Sequence, residues 1–408
     1  MRGANCRRLG AAIDIGTTTL ALDLCDLNTA QSVIYRTSPN PQARLGGADV
    51  MSRISVASSS DAHIQQLQSA VIEGLSSLIL SCCPENACIA EVAIVGNPVM
   101  LHLLLGINPK PLGEAPYKPV LPRATIKKVV AKELFPKAAH LFPSVSVLAH
   151  ILPIVAGHVG SDLIADLLST RIHTDPPPVN EVWLLLDIGT NCEALAVARK
   201  PDQPLDPVIM VVCSCATGPA LEGGEITCGM TAGPGAIDRV RIDKTNPENL
   251  TFHVIEGAPV QGICGSGVID AVAELLEAGV LQLSGAWAKD AATRCPTRFR
   301  KRNNKGEFVI AKADPAAGSK AKEVYLCNDD IRAVQLAKAA VHVCSKLMIY
   351  KLNQLSRCPK PLLLTRVLIA GTFGAHLDPG RMLWVGLLPF DGSRIEYSGP
   401  AAVDGARQ

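Results

Sequence analysis

Two stretches of this chain repeat each other: AIDIGTTTLALDL around Asp14 recurs as LLDIGTNCEALAV around Asp187. Each is an apolar run ending in Asp, a turn through Gly with hydroxyl or amide residues, and a second apolar run. That pattern reads as a strand, a tight turn and a returning strand. A looser pair follows the same plan, VAIVGNPVM around Gly96 and VLIAGTFGA around Gly371, each a strand entering glycine and then a helical pattern. Self-similarity on this scale points to a duplicated unit. Asp14 and Gly96 are 82 residues apart, Asp187 and Gly371 are 184 apart, so the second copy carries an insertion of about one hundred residues.

Short β-rich runs alternate with amphipathic helical patterns, which places the chain in the α/β class. The expected division is 11–178 for the first subdomain, 179–390 for the second with an insertion at about 285–323, and 391–408 for a C-terminal tail. The insertion contains a basic run, TRFRKRNNKGEF, that reads either as a solvated hairpin or loop or as a docking surface for an acidic partner. After it, Asp329 or Asp330 can cap a long helix with apolar positions at Ile331, Val334, Ala337, Val341, Cys344 and Met348, closed by CPKP.

Composition narrows the function classes. The 408 residues suit two or three domains, and 39 Lys plus Arg against 37 Asp plus Glu leave a net charge of +2. No general field favours nucleic acid or an anionic membrane. The mean hydropathy is +0.23, yet the apolar runs are broken, for example by His150, Pro153 and His158, and a spanning helix needs about 20 unbroken apolar residues. The N-terminus reaches Asp14 before any signal-like stretch develops. A cytoplasmic, soluble protein with no membrane segment is therefore expected. Fourteen cysteines occur with no CxxC, so neither a zinc ribbon nor a ferredoxin run is available. They read as small buried hydrophobes in a reducing compartment, and Cys213 with Cys215 would bind metal only with partners from elsewhere.

A strand that ends in Asp and turns through Gly presents successive backbone N–H groups to one point, with hydroxyls beside them, and polyphosphate oxygens fit there. Asp14 and Asp187, one from each half, would face each other across a cleft. Beside a triphosphate, two carboxylates become useful with Mg²⁺, which takes one or two protein carboxylates plus phosphate oxygens and waters. One such turn has an ordinary explanation as a β-turn; the repeated pair points to phosphate. There is no GxxxxGK[ST], GxGxxG, HExxH or GxSxG. Gly371, Thr372, Phe373 and Gly374 form either a plain helix N-terminus or, with the two turns, the natural adenine site, where Phe373 could cover one face of the ring.

These residues carry a resemblance. The two turns and the late AGTFG resemble the ASKHA superfamily of actin, heat-shock-70 and sugar-kinase folds, and so imply a duplicated actin-like, ribonuclease-H-like ATPase fold. The finer similarity is to the ASKHA domain of the reductive activators of corrinoid proteins. It runs from about Asp14 to about Leu388 through GADVMSRIS, VGNPVMLHLLLGI, GPALEGGEITCGM, PGAIDRV, GICGSGVIDAVAELLEAG, DIRAVQLAKAA and AGTFGAHLDP. The resemblance implies ATP hydrolysis with Mg²⁺, coupled to returning a Co(II) corrinoid protein of a methyltransferase system to Co(I). It implies a first phosphate motif of Asp14, Gly16, Thr17 and Thr18, a second of Asp187, Gly189, Thr190 and Asn191, and an adenosine motif of Gly371, Thr372 and Phe373, with Asp14 and Asp187 toward the metal.

The chain departs from the related turns at Cys192, where they usually read Gly; a side chain there would either crowd the phosphates or tilt the hairpin. Asp162, in GHVGSDLIADLL, resembles the catalytic base of kinases in this superfamily, a role that would here position or deprotonate a water; alternatively it complements a helix N-terminus. Cys264 and Ser266 precede a helix, as an acidified thiol or as a Gly-rich packing connection. Gln335 and Lys338 could reach a ribose or simply face solvent, and Asp238 and Arg239 stay unassigned. Characterised activators carry an iron-sulfur domain beside the ASKHA domain, and no such segment precedes the first turn here. The expectation is that this chain holds no iron-sulfur cluster and takes electrons from a separate iron-sulfur protein, with an assembly of two copies left open. A small-molecule kinase and a nucleotide-gated partner protein with little turnover are the competing readings.

Overall fold

The computed structural model describes residues 6–47, 49–121, 125–200, 208–313, 321–356, 358–371, 377–388 and 394–408. The chain divides into two compact units, Met1–Pro176 with Pro400–Gln408, and Pro177–Gly399.

The first unit is built on six strands: β1 (Arg7–Ile15), β2 (Thr19–Asp26), β3 (Ser32–Pro39), β4 (Ala87–Gly96), β5 (Lys127–Val130) and β6 (Leu148–Ile151), in the order β3-β2-β1-β4-β6-β5. β2 runs antiparallel to both β1 and β3, whereas β4 runs parallel to β1 and β6 parallel to β4. Its longer helices before the C-terminal segment are α1 (Val50–Ser59), α2 (Asp61–Cys82), α3 (Pro98–Leu104) and α4 (Ser161–Thr170). The first three start at side-chain caps: Asp49 accepts from Ser52 N, Ser60 from His63 N, and Asn97 from Val99 N with Pro98 following. Strand alternation separates two faces. Ala11, Ile13 and Ile15 pack with Leu67, Val71 and Leu75 of α2, while Ala12, Ala21 and Val95 pack with Ala165 of α4. Asp14 therefore lies on the α4 face.

The second unit opens with β7 (Glu181–Ile188), β8 (Asn191–Arg199) and β9 (Val208–Ala216), again an antiparallel trio. A small sheet of β10 (Ala236–Ile242), β11 (Leu250–Val254) and β12 (Gly262–Ile263) follows, then α5 (Gly265–Glu277). Next come the sheet of β13 (Phe299–Arg302), β14 (Lys305–Ala311) and β15 (Val324–Cys327) and the long α6 (Asn328–Ser356). β16 (Leu363–Ala370), α7 (Pro379–Val385) and β17 (Arg394–Gly399) complete the main sheet, ordered β17-β16-β7-β8-β9. Both β16 and β17 are parallel additions. From the β9 end this repeats the first sheet's β3-β2-β1-β4-β6. The glycines correspond in register: Ile15 faces Gly96, and Asp187 faces Ala370 just before Gly371.

The basic run falls on the β13–β14 hairpin, whose turn residues Asn303 and Asn304 both have positive φ, a conformation asparagine tolerates well. Within 391–408, set apart above as a tail, Arg394–Gly399 form β17 of the second unit's sheet and Ala401–Arg407 form a last helix, α8, of the first unit. There Ala402 and Val403 join Ala165 in the core, and Arg407 pairs with buried Asp23 at 3.2 Å. Twelve cysteines are free, seven of them buried. Cys6 and Cys88 depart from the all-thiol expectation and are joined in a disulfide, because pairing Arg8 with Cys88 at the mouth of β1 and β4 brings Cys6 alongside. Among the described residues no helix is long and apolar enough to cross a membrane.

Candidate functional site

The first Asp-Gly-Thr turn closes β1 onto β2. Gly16 N donates to Thr19 O at 3.0 Å. A Cβ at Gly16 would lie 2.7 Å from that oxygen, so only glycine fits. The turn is held from behind by two side chains. Asn40 donates from Nδ2 to Gly16 O at 2.9 Å while its own N–H donates to Thr18 O at 2.8 Å. Arg53 on α1, fully buried, donates to Thr17 O and to Gly47 O at 3.1 Å. It also donates to Gln42 Oε1 at 3.4 Å and to the Met100 sulfur at 3.0 Å. Burial lowers its pKa to about 10, partly offset by Asp49, so it stays charged at neutral pH. A buried cation behind the turn makes the turn electropositive.

Asp162 occupies the first turn of α4, and α4 is anchored to the end of β4 by Gly96 N donating to Ser161 Oγ at 3.2 Å. Because Gly96 is registered with Ile15, Asp162 and Asp14 belong to one face and one end of the first sheet. Asp162 Oδ1 accepts from Leu163 N at 2.8 Å, as a helix-end carboxylate does. Burial pushes its pKa up to about 6 against the backbone bonds that lower it, and a carboxyl tuned toward neutrality is suited to proton transfer. The two readings of this residue, helix complement and base, are physically compatible.

The second turn is one residue shorter than the first, Ile188 pairing with Cys192 where Ile15 pairs with Leu20, and it has different supports. Gly189 N donates to Asn191 O at 2.8 Å. Thr217 Oγ1 lies 2.8 Å from both Gly189 O and Thr190 O, and Thr190 Oγ1 donates to Glu222 Oε2 at 2.5 Å. Glu222 ends a 3₁₀ turn, Pro219–Glu222, set between Gly218 and Gly223, both at positive φ. Gly371, at φ 86°, sits against Asp187: a Cβ there would lie 2.5 Å from Asp187 Oδ1. Gly371, the strand-end glycine of the expected adenosine motif, thus lets the Asp187 carboxylate stand where it does, while Thr372 and Phe373 lie outside the described residues. Cys192 neither faces the turn's outer side nor crowds it. Its side chain is fully buried in the second unit's core, opposite Cys215.

The other singled-out residues take structural roles. Cys264 is buried at the start of α5, its thiol 3.3 Å from Ser266 Oγ, and a Cβ at Gly267 would strike Ile237 O, so this is a packing connection. Gln335 donates to Ser284 O and Lys338 to Val385 O, while Asp238 bonds His253 Nδ1 at 2.6 Å. Among the described residues no group of three or more His, Cys, Asp or Glu side chains gathers to hold a metal. Sequence reasoning missed Asn40, Arg53, Thr217 and Glu222. Arg53 had a readable signal, a lone arginine among Val50, Ile54 and Ala57 on the buried face of an amphipathic helix. It also missed Arg381, which pins α7 to α5 through Glu274, Glu277 at 2.8 Å and Asp270 at 3.9 Å.

Comparison with known proteins agrees with this geometry. Residues 9–175 match the family described as the RACo middle region, and residues 181–408 match the C-terminal domain of RACo, the ASKHA domain. The corrinoid activation enzyme RamQ of Eubacterium limosum is 32% identical over 98% of this chain and 63% of its own length. A [Co(II) methylated amine-specific corrinoid protein] reductase of Methanosarcina barkeri is 25% identical over 67% of this chain and 52% of its own. A solved reductive activator for corrinoid, iron-sulfur protein superposes with a TM-score of 0.81 at 32% identity, covering 99% of this chain and 60% of that one. The chain thus spans about three-fifths or less of the length of these relatives. With both of its actin-like α/β sheets inside those matches, the chain belongs to the RACo family, and what it carries is that family's middle region and C-terminal ASKHA domain.

Proposed function

We propose that this protein is an Mg²⁺-dependent ATPase of the cytoplasm that couples nucleotide turnover to reductive reactivation of a corrinoid protein, Co(II) to Co(I), with electrons supplied by a separate iron-sulfur protein. The observation that carries the reading is the pair of registered Asp-Gly-Thr turns inside a chain matched end to end by corrinoid activators. The residues suit a nucleotide and its metal. At Gly16 and Gly371 the backbone and a carboxylate occupy the space a Cβ would need. The first turn, backed by Arg53, takes phosphate oxygens. Asp187 and Glu222 at the second, with Asp14, are the carboxylates toward Mg²⁺, which neutralises charge on the phosphates when bound. Thr17, Thr18, Thr190 and Asn191 supply hydroxyl and amide contacts, and Asp162 holds a water in line as its base. Gly371, Thr372 and Phe373 take the adenosine.

The test is ATP consumption by the purified protein, with and without a Co(II) corrinoid protein and reductant. Stimulation by the corrinoid protein is expected. Turnover that appears only with a small hydroxyl acceptor would replace the reading with a kinase, and nucleotide binding without turnover would replace it with a gated partner protein. An iron and labile-sulfide assay on anaerobically purified protein checks the external electron source; stoichiometric cluster would overturn that part.

A further inference from the structure

Helix α6 carries two apolar stripes. One, through Ile331, Val334, Ala337, Val341, Cys344, Met348 and Leu352, is buried in the second unit's core. The other runs along the outside at steps of four and three: Leu336, Ala340, Val343, Leu347 and Tyr350. Four of these are more than half exposed, at 55% for Leu336, 53% for Val343, 60% for Leu347 and 63% for Tyr350. A helix that has satisfied its own core has no need of a second stripe. Steps of four and three are the spacing by which one helix packs its side chains into another, and a contiguous exposed apolar patch of this kind marks an interaction surface.

The charges beside the stripe define what fits. From residue 331 to 356 the helix contains Arg332, Lys338, Lys346 and Lys351 and no Asp or Glu. Lys338 is spent on Val385 O. Arg332, Lys346 and Lys351 are exposed and make no ion pair among the described residues. A second copy of this chain would bring the same basic flanks to the seam with no acid to meet them. We infer that the outer face of α6 is a docking surface for an amphipathic helix of another protein, one with an apolar stripe at the same spacing and Asp or Glu along its edges. Apolar contact would hold the pair and the charges would select and steer it. This surface is independent of the nucleotide reading, since none of its residues belongs to either turn.

The experiment titrates the full chain into a fluorescently labelled synthetic helical peptide of four heptads, with Leu at the two seam positions of each heptad and Glu at the two flanking ones. A matched peptide with Lys in place of Glu is the control. The Glu peptide is expected to bind, to weaken by about tenfold or more on raising salt from about 0.05 to 0.5 M, and to be preferred over the Lys peptide. Leu347→Glu should abolish binding. Lys346→Glu combined with Lys351→Glu should reverse the preference between the two peptides. Both variants change exposed positions, and a native circular dichroism spectrum confirms that they fold. Equal binding of the two peptides, or none of the Glu peptide, overturns the inference. So does sedimentation showing a dimer that Leu347→Glu dissolves, or binding to phosphatidylserine vesicles that Leu347→Glu removes, because either would make the occupant a second copy or a lipid surface.

Discussion

The two Asp-Gly-Thr turns occupy the same place in their sheets, the second one residue tighter, and differ in what stands behind them. At the first, a buried guanidinium and an amide donate to the turn's carbonyls. At the second, a threonine hydroxyl and a carboxylate do the supporting work. The first is therefore backed by positive charge and the second flanked by negative charge, although a strand-by-strand superposition of the two sheets would call them equivalent. Duplication preserved the strand order and the glycine register, which backbone hydrogen bonding dictates, and left the supporting shell free to diverge; under the proposed function the first shell favours phosphate oxygens and the second a cation.

The strongest way to break this division of labour is to neutralise each carboxylate in turn. Asp14→Asn and Asp187→Asn should each lower ATP turnover by about 10²- to 10³-fold, and the double substitution should cost little more than either single one, because groups that act as a unit are not additive. Steady-state ATP consumption measures this. A silent substitution at either position would show that one turn is only a structural echo of the other.

Arg53 separates the turns next. Arg53→Met leaves the carbonyls of Thr17 and Gly47 without their donor in a site that water does not reach. The expected loss is about 3 kcal/mol of stability, read from urea unfolding. Arg53→Lys should recover little, since one ammonium cannot replace a fork that serves several acceptors. Thr217→Val at the second turn removes a neutral hydroxyl and should cost only about 1 kcal/mol. Equal losses at the two sites would erase the contrast.

What the sequence made legible, and what it hid, follows the range of the interactions. Strand, Asp, Gly and Thr act within a few residues, so both turns, their duplication and the α/β class could be read directly. The supports come from 24 to 36 positions away, as Gly16 with Asn40, Thr17 with Arg53 and Thr190 with Glu222 and Thr217 illustrate, and no local rule reports such partners. The side taken by Cys192 was hidden for a different reason. Strand β8 is buried on both faces, so the usual alternation of apolar and polar residues carried no signal. The return of α8 to the first unit was equally silent, because AAVDGAR is short and its Ala-rich surface becomes apolar packing only once it meets α4 and the first sheet.

Asp162 tests the first unit alone, since it stands in the first turn of that unit's α4. Its ordinary pKa is 3.8 and burial pushes it up to about 6. Between those values the folded protein keeps a proton that the unfolded chain has released, so stability falls as pH rises from about 4 to about 6 and stays reduced above it. The buried charge costs about 2 to 3 kcal/mol at pH 7 to 8. Asp162→Asn should therefore match the parent below pH 4, exceed it by about that amount above pH 6, and lose the pH dependence between. If Asp162 is also the base, turnover should drop by about 10²- to 10⁴-fold in the same variant. Stabilisation with unchanged turnover would leave the helix-end role standing alone.

The smallest expected effect distinguishes two glycines that look interchangeable in sequence. At Gly16 an added methyl meets Thr19 O at 2.7 Å, and backbone must move to admit it; at Gly189 the nearest atoms are Glu222 Oε1 at 3.5 Å and Asn191 O at 3.6 Å, ordinary contact distances. Gly189 is also absent from the positive-φ residues, so its conformation suits alanine. Gly16→Ala should cost about 1 to 2 kcal/mol in urea unfolding. Gly189→Ala should fall within about 0.5 kcal/mol of the parent, because the entropy removed from the unfolded chain offsets any small crowding. If both substitutions cost alike, the second turn is as tightly closed as the first, and its difference in charge is not accompanied by a difference in room. If Gly189→Ala is neutral in stability yet lowers ATP turnover, then the space above Gly189 is space the nucleotide uses.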